Sequence, residues 1–367
     1  MDYAISQRIQ ILRQHMAARQ LDAFLVLIAE NRFYLSGFSA EDNGFDESSG
    51  ALLIGPDHLI LATDSRFDIQ ARQQAPGYAV QVYTKGLAEE LPVLLARMRP
   101  RRLGFESRRL SVEQHARMVS RIAGAGLTVE MVAVEELAES QRVIKSEVEI
   151  EATRAALAIA ERVFAQVAEA VRPGMTEREI AWTLEKALHE AGADALSFPI
   201  IVAAGPNSAL PHAVPGDRPV GAGEPILFDW GVRLGGYCSD TSRTLVLGGG
   251  DSQFERVYRT VREAQQKAIA AIRPGVAARD VDAVARDHIA RSGFAGKFGH
   301  GLGHGTGLAI HEAPRLSPLS EAVLAPGMLV TVEPGIYIEG WGGVRLENQA
   351  VVREQGAEVL NMLRFLW

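Results

Sequence analysis

PILFDWGVRLGGYCSDTSRT, residues 225–244, begins with the apolar run Pro225-Ile226-Leu227-Phe228 and ends that run on an acid, Asp229. Gly235-Gly236 then turns the chain, and the return strand of the hairpin carries a second acid, Asp240. A carboxylate at the end of a strand otherwise fit for burial is paired, protonated or metal-bound, because leaving it alone costs several kcal/mol. MLVTVEPGIYIEGWGGVRLE, residues 328–347, repeats the plan: Glu333 ends an apolar strand over 328–332 and Glu347 follows Gly342-Gly343. Working outward, Val171-Arg172-Pro173-Gly174 is echoed by Ile272-Arg273-Pro274-Gly275, each ending one long helix and preceding another. Pro211-His212-Ala213-Val214-Pro215 is echoed by Ile310-His311-Glu312-Ala313-Pro314. The four offsets, in chain order of helix end, histidine segment, first acid and second acid, are 101, 99, 104 and 107 residues. Echoes in one order at a near-constant spacing predict a duplicated α+β unit, with a pseudo-twofold axis on which paired acids converge.

The helices of that unit have their own signals. Ile159, Val163 and Val167 recur every fourth residue on one face, and Pro173-Gly174 stops the helix. Thr176 and Glu179 form a capping-box pattern that opens a second helix, ended by Gly192. Segments 198–203, 225–230 and 237–247 read as strands. Upstream, short apolar runs at 22–28, 51–54, 58–62 and 102–105 read as strands, separated in places by helical stretches at 65–74, 87–98 and 111–122. This predicts a small α/β domain over 1–134, a charged linker over 135–149 and the duplicated α+β domain over 150–367.

Bulk properties narrow the function. The 367 residues are 47% hydrophobic and 23% charged, a globular composition long enough for about two domains. A net charge of −7 argues against a general nucleic-acid binder. The one basic cluster, Arg97, Arg99, Arg101, Arg102, Arg108 and Arg109, reads as a solvated face. A single cysteine, Cys238, excludes a disulfide framework and suits a reducing, cytoplasmic setting as a small core residue. Residues 1–20 read as an amphipathic helix and not a signal peptide. No window approaches the roughly 18 uncharged apolar residues of a membrane span.

Three of the nine histidines fall in one segment, His300, His304 and His311, with five glycines between residues 299 and 307. That glycine density indicates backbone packed close against something, and His212 holds the matching place in the other half. Taken singly, each acid reads as an ion-paired structural group and each histidine as a satisfied core residue; their equivalent places in two repeats favour a site. The glycine run lacks the spacing and the Lys-Ser/Thr of a phosphate loop. His311-Glu312 lacks the second histidine of a zincin HExxH, and no GxSxG elbow exists, so serine and cysteine nucleophiles are poor candidates.

Gly236-Tyr237-Cys238-Ser239-Asp240-Thr241-Ser242-Arg243-Thr244, His304-Gly-Thr-Gly-Leu-Ala-Ile-His311-Glu312, Glu333-Pro-Gly-Ile-Tyr337 and Val344-Arg345-Leu346-Glu347 together resemble the pita-bread metallopeptidases. That family includes methionine aminopeptidase, aminopeptidase P and prolidase, and the resemblance covers about residues 150 to 355. Asn31-Arg32-Phe33-Tyr34-Leu35-Ser36-Gly37-Phe38 and Thr63-Asp64-Ser65-Arg66 are similar to the creatinase/prolidase N-terminal domain, which points to the Xaa-Pro branch. By position, the resemblance implies that Asp229 chelates one of two divalent ions, His304 and Glu333 bind the other, and Asp240 and Glu347 bridge them. His212, His300 and His311 match histidines that contact substrate, and Arg345 an arginine beside the bridging glutamate. Ser242 stands where threonine is common and Asn348 where aspartate is frequent; neither is a ligand position.

Four carboxylates and one imidazole form a hard, oxygen-rich donor set that suits Mn2+, with Co2+ or Zn2+ as alternatives. Two such ions would activate a water for attack on the scissile carbonyl. Glu333 would shuttle its proton to the leaving nitrogen, and His311 or His212 would stabilise the oxyanion. The expected substrate is a peptide with proline at its second position. Xaa-Pro aminopeptidase is preferred over Xaa-Pro dipeptidase (prolidase), because no element that would recognise a dipeptide's terminal carboxylate is visible in the sequence. A non-catalytic binding protein on the same fold is disfavoured by the intact ligand set, as is creatinase-type chemistry, since creatinase lacks these acids. A homodimer is the expected assembly.

Overall fold

In the first unit, Met1–Gln141, the apolar runs become one sheet of six strands: β1 (Ala23–Val26), β2 (Ala51–Ile54), β3 (Leu59–Asp64), β4 (Ala79–Tyr83), β5 (Arg102–Glu106) and β6 (Glu130–Val134), in the order β4-β3-β2-β1-β5-β6. The computed structural model describes residues 3–42, 44–45 and 47–363. β1 runs parallel to β5, β5 to β6 and β3 to β4, while β2 is antiparallel to both its neighbours. Every residue of β1 and β2 is buried, as central strands covered on both faces require. Helices α1 (Tyr3–Ala18), α2 (Ala29–Ser36), α3 (Asp68–Gln74), α4 (Leu87–Met98) and α5 (Val112–Gly124) accompany the sheet. The helix expected over 65–74 begins only at Asp68, and α2, β4 and β6 were not foreseen. In α2 polar residues are buried beside Tyr34 and Leu35: Asn31 donates to Glu106, and the fully buried Arg32 bonds the carbonyls of Leu27 and Ala40 and the Asp42 carboxylate. Such a mixture leaves no apolar period to read.

A short helix, α6 (Glu139–Arg142), falls where the chain passes from one unit to the next. The second unit, Arg142–Trp367, repeats itself. In its first half α7 (Glu147–Ala170) and α8 (Glu177–Glu190) precede β7 (Ala195–Leu196), β8 (Ile201–Ala204), β9 (Pro225–Trp230), β10 (Val232–Leu234), β11 (Tyr237–Cys238) and β12 (Thr241–Val246). In its second half α9 (Ser252–Ala271) and α10 (Ala278–Ile289) precede β13 (Gly303–Gly305), β14 (Glu312–Leu316), β15 (Leu329–Val332), β16 (Gly335–Ile338), β17 (Gly342–Arg345), β18 (Asn348–Arg353) and β19 (Gly356–Val359). The echoed glycines Gly174 and Gly275 both adopt positive φ, 94° and 83°, where a side chain would be strained. Residues at the starts of α8 and α10 make matching isolated bridges, Thr176 to Pro219 and Ala277 to Val323.

Each half has its own core. In the first, Phe164 of α7 stacks on Trp230 of β9 with centroids 3.8 Å apart, and the Trp230 indole donates to the Ala160 carbonyl. In the second, Val261 of α9 packs with Val332 and Leu346. Each side chain of this size contributes about 1.5–3 kcal/mol when fully buried. Sheets β12-β9-β8 and β14-β13-β15-β18-β19 are the equivalent layers, and β16-β17 forms a separate ribbon. Two strand expectations need correction. The segment expected at 198–203 pairs only from Ile201, after Pro199, which has no N–H to give. The return strand expected over 237–247 is two strands in different sheets, β11 on β10 and β12 on β9. The Ser239 side chain, bonded to both the N–H and the carbonyl of Val232, holds the corner between them. No described helix is long and apolar enough to cross a membrane.

Candidate metal centre

Five backbone placements bring the candidate ligands together. Asp229 lies next to the end of β9, opposite Ser242 of β12. Asp240 occupies the corner between β11 and β12, its N–H donating to Gln349 at 3.0 Å. His304 is the middle residue of β13, Glu333 follows β15, and Glu347 lies between β17 and β18. The glycine run explains the closeness. A Cβ on Gly303 would fall 2.0 Å from the Thr331 carbonyl oxygen, and one on Gly305 2.2 Å from that of Ala313, so only glycines beside His304 let the strands approach this far.

The His304 ring is oriented by its backbone. Its Nδ1 lies 3.1 Å from the Gly305 carbonyl, which can only accept, so Nδ1 carries the hydrogen and Nε2 presents a lone pair. That Nε2 is 3.5 Å from Asp240 Oδ2 and 3.5 Å from Glu333 Oε1. Burial, with His311 close by, lowers the His304 pKa to about 4 and keeps the ring neutral. A neutral lone pair aimed between two carboxylates is no ion pair; it is the arrangement a cation completes. Asp240, His304 and Glu347 offer ligand atoms all within 4.8 Å of one another.

The remaining carboxylates are held with one oxygen each in reserve. Glu347 Oε2 accepts from Ser242 Oγ at 2.9 Å, and Ser242 Oγ accepts in turn from Arg345 Nε at 2.8 Å. Arg345 Nη2 donates to Asp229 Oδ2 at 2.7 Å. Asp229 Oδ1 and Glu347 Oε1 are buried without a protein hydrogen-bond partner. A buried carboxylate oxygen with no donor is costly, and two of them from residues lining the cavity that His304 also lines make a donor set that fits divalent metal. With protein groups alone, burial and then the neighbouring carboxylates push Asp240 and Glu347 well above the usual range. Glu333 rises to about 8, chiefly through burial. Asp229 is raised as well, by burial, against the pull of Arg345.

These groups line a cavity of about 560 Å3 together with His212, His300 and His311. His300 Nδ1 donates to the Gly301 carbonyl at 2.8 Å, so its Nε2 accepts from the Tyr337 hydroxyl at 2.8 Å, and that hydroxyl accepts from Arg345 Nη1 at 2.9 Å. His311 packs edge-on against His304, centroids 4.4 Å apart. His212 follows Pro211, whose carbonyl accepts from Arg345 Nη1. All nine residues singled out in the sequence therefore fall at one cavity. Sequence reading missed three others: Arg315, which lines the same cavity, and Tyr337 and Ser242, which hydrogen-bond residues that line it. Tyr337 stood in a quoted motif without a role, and Ser242 was set aside as a non-ligand position. Arg315, directly opposite His304 in the β13–β14 pairing, gave no signal at all.

The pattern of metallopeptidase family M24 matches residues 151–354, and that of the creatinase/prolidase N-terminal domain residues 8–144. The Xaa-Pro dipeptidase of Pyrococcus horikoshii is 31% identical over 97% of this chain and 97% of its own length. Among solved structures, an Xaa-Pro dipeptidase from Bacillus anthracis superposes with a TM-score of 0.91 at 35% identity, covering 98% of each chain. An X-Pro aminopeptidase from Thermotoga maritima gives 0.86 at 33% identity, over 96% of this chain and 98% of that one. The match across most of the second unit, with the carboxylate–imidazole cluster at its centre, makes this protein a hydrolase of metallopeptidase family M24 with a creatinase/prolidase N-terminal domain.

Proposed function

We propose that the protein is an Xaa-Pro dipeptidase, with Asp229, Asp240, His304, Glu333 and Glu347 holding two divalent cations, Mn2+ in preference to Co2+ or Zn2+. The observation that carries the dipeptidase reading is Arg315. This residue lines the cavity, is exposed and makes no ion pair with a carboxylate among the described residues. A free cation at that place suits the terminal carboxylate that a dipeptide brings into the site and a longer peptide does not. This reverses the preference drawn from sequence, where no such element was visible. The names carried by the Pyrococcus horikoshii and Bacillus anthracis proteins favour the same reading, while that of the Thermotoga maritima protein favours an aminopeptidase as the second one.

When bound, the ions supply Lewis acidity and lower the pKa of a water toward neutrality. Glu333 takes the proton of the attacking water and delivers it to the proline nitrogen, which leaves as a secondary amine. His311 and His212 donate to the carbonyl oxygen as negative charge develops there. His300, locked by Gly301 and Tyr337, forms a fixed wall for the proline ring. Initial rates on Xaa-Pro dipeptides and on Xaa-Pro-Xaa tripeptides test the reading. The dipeptides should have the higher kcat/KM, and Arg315→Met should raise their KM by roughly 10- to 100-fold, the weight of a charge-assisted hydrogen bond. Faster turnover of the tripeptides, unchanged by Arg315→Met, would establish the aminopeptidase instead.

A further inference from the structure

The segment between β13 and β14, residues 306–311, carries His311 into the cavity, and what fixes its path lies outside the metal cluster. Glu312, the first residue of β14, turns its carboxylate away from the cavity and back under this segment. Oε1 accepts from the Ala309 N–H at 2.9 Å and from Arg142; Oε2 accepts from Lys145 Nζ at 3.0 Å. All three charged side chains are buried, with exposures of 5%, 2% and 7% for Arg142, Lys145 and Glu312. A Cβ on Gly307 would lie 2.9 Å from both carboxylate oxygens, so the segment wraps the carboxylate at contact distance. On its other side, Cys238 N–H holds the Gly307 carbonyl at 2.8 Å. The backbone at Lys145 is anchored as well: its N–H donates to the Gly327 carbonyl, and Ile144 bridges to Met328.

We infer that Glu312 is a positioning residue: clamped by Arg142 and Lys145, its carboxylate sets the course of residues 307–311 and thereby where the His311 imidazole meets substrate. The inference rests on His311 acting on substrate, as proposed above. It follows from the network that a change at Glu312 moves His311 more than His304, whose N–H and ring Nδ1 are tied to Thr331 and Gly305 in addition to the ring's contact with the Ile310 backbone. Displacing a catalytic group by about 1 Å costs roughly 100-fold in rate.

The test is a double-mutant comparison on the Mn2+-loaded enzyme with an Xaa-Pro dipeptide. Glu312→Gln alone should lower kcat roughly 100-fold with metal content, by elemental analysis, unchanged. In a His311→Ala background the same substitution should change kcat less than about two-fold, because the group it positions is gone. Should Glu312→Gln not fold, since it neutralises a buried carboxylate bonded by two buried cations, Lys145→Met carries the same comparison with the Arg142 pair intact. Equal losses in the two backgrounds, or loss of metal from Glu312→Gln, would overturn the inference. A fully active His311→Ala enzyme would instead remove the reading of His311 on which it stands.

Discussion

The two halves of the catalytic unit share a plan and divide the chemistry unequally. Each offers a long helix, a glycine-terminated bend, a second helix and a sheet with an acid at the end of one strand and another beyond a glycine turn. Yet the equivalent acids differ in surroundings. Asp229 is tied to Arg345 at 2.7 Å, whereas Glu333 lies against the Thr331 hydroxyl, at 3.3 Å, and the His304 imidazole, at 3.5 Å. The imidazole itself comes from the second half alone, and so does Gln265 of α9, whose side chain holds the carbonyls of Val332 and Leu346, the residues just before Glu333 and Glu347. The repeated frame thus carries two unlike acids, and under the proposed function the second half supplies the one that transfers the proton.

Under the proposed function this asymmetry makes Glu333 and Asp229 non-interchangeable. Glu333→Gln should cost about 10²- to 10⁴-fold in kcat, the range for a lost general acid–base group, and excess Mn2+ should not restore it. Asp229→Asn should act through metal: less than the full complement is retained at limiting Mn2+, and activity recovers as Mn2+ is raised. Metal titrations read by both elemental analysis and initial rates separate the two. Equal losses, equally rescued, would show the halves to be chemically symmetric after all.

A second effect is smaller and read in stability. In metal-free protein the folded Asp240, Glu347 and Glu333 carboxyls lie above their unfolded values of about 4, Glu333 at about 8, because burial and mutual repulsion favour the protonated form. A raised folded-state pKa contributes stability that is complete below the unfolded pKa and is lost as pH climbs through the folded one. The chelated protein should therefore melt at progressively lower temperature from pH 5 to pH 8, and the stabilisation conferred by Mn2+ should grow over the same window. Asp240→Asn should flatten the slope of the chelated protein more than Asp229→Asn does, since Arg345 already offsets much of the cost at Asp229. Melting that is indifferent to pH in chelator would mean that the acids do not crowd one another.

How far the sequence exposes this arrangement depends on what each residue answers to. Asp229 and Glu333 were legible because an acid ending an apolar strand breaks a local rule, and Asp240 and Glu347 because each follows a glycine pair at the matching place of the repeat. His304 was legible through its glycines, whose missing side chains report a close neighbour. Arg315 was not, because an arginine on a short edge strand breaks no rule until its cross-strand partner is known to be His304. Arg142 and Lys145 read as ordinary charges of a linker segment, and only the fold places both against Glu312. The corner at Ser239–Asp240 was hidden for a related reason: residues 239–244 are all polar, so no break in an apolar pattern marks where the chain changes sheet.

The smallest expected effect concerns the helices that open each half's second layer. α8 begins with a complete capping box, Thr176 Oγ1 accepting from the Glu179 N–H at 3.2 Å and Glu179 reaching back to the Thr176 N–H at 2.8 Å. α10 begins at the equivalent place with Ala277, in the same extended conformation (φ −69°, ψ 135°) but with no side-chain oxygen to offer. Its Asp280 N–H turns instead to the Ala277 carbonyl at 2.9 Å. Thr176→Ala should therefore cost about 1 kcal/mol, while Ala277→Ser should gain about 0.5–1 kcal/mol, a shift of roughly 1–4 °C in melting temperature for a unit of this size. The gain should be the lesser of the two, because aspartate at position 280 is one methylene too short to close the reciprocal bond that Glu179 makes. Both substitutions lie outside the cavity and should leave kcat/KM unchanged; a melting temperature that does not rise with Ala277→Ser would mean that the tie between Ala277 and Val323 holds the N-terminus of α10 where a serine hydroxyl cannot reach it.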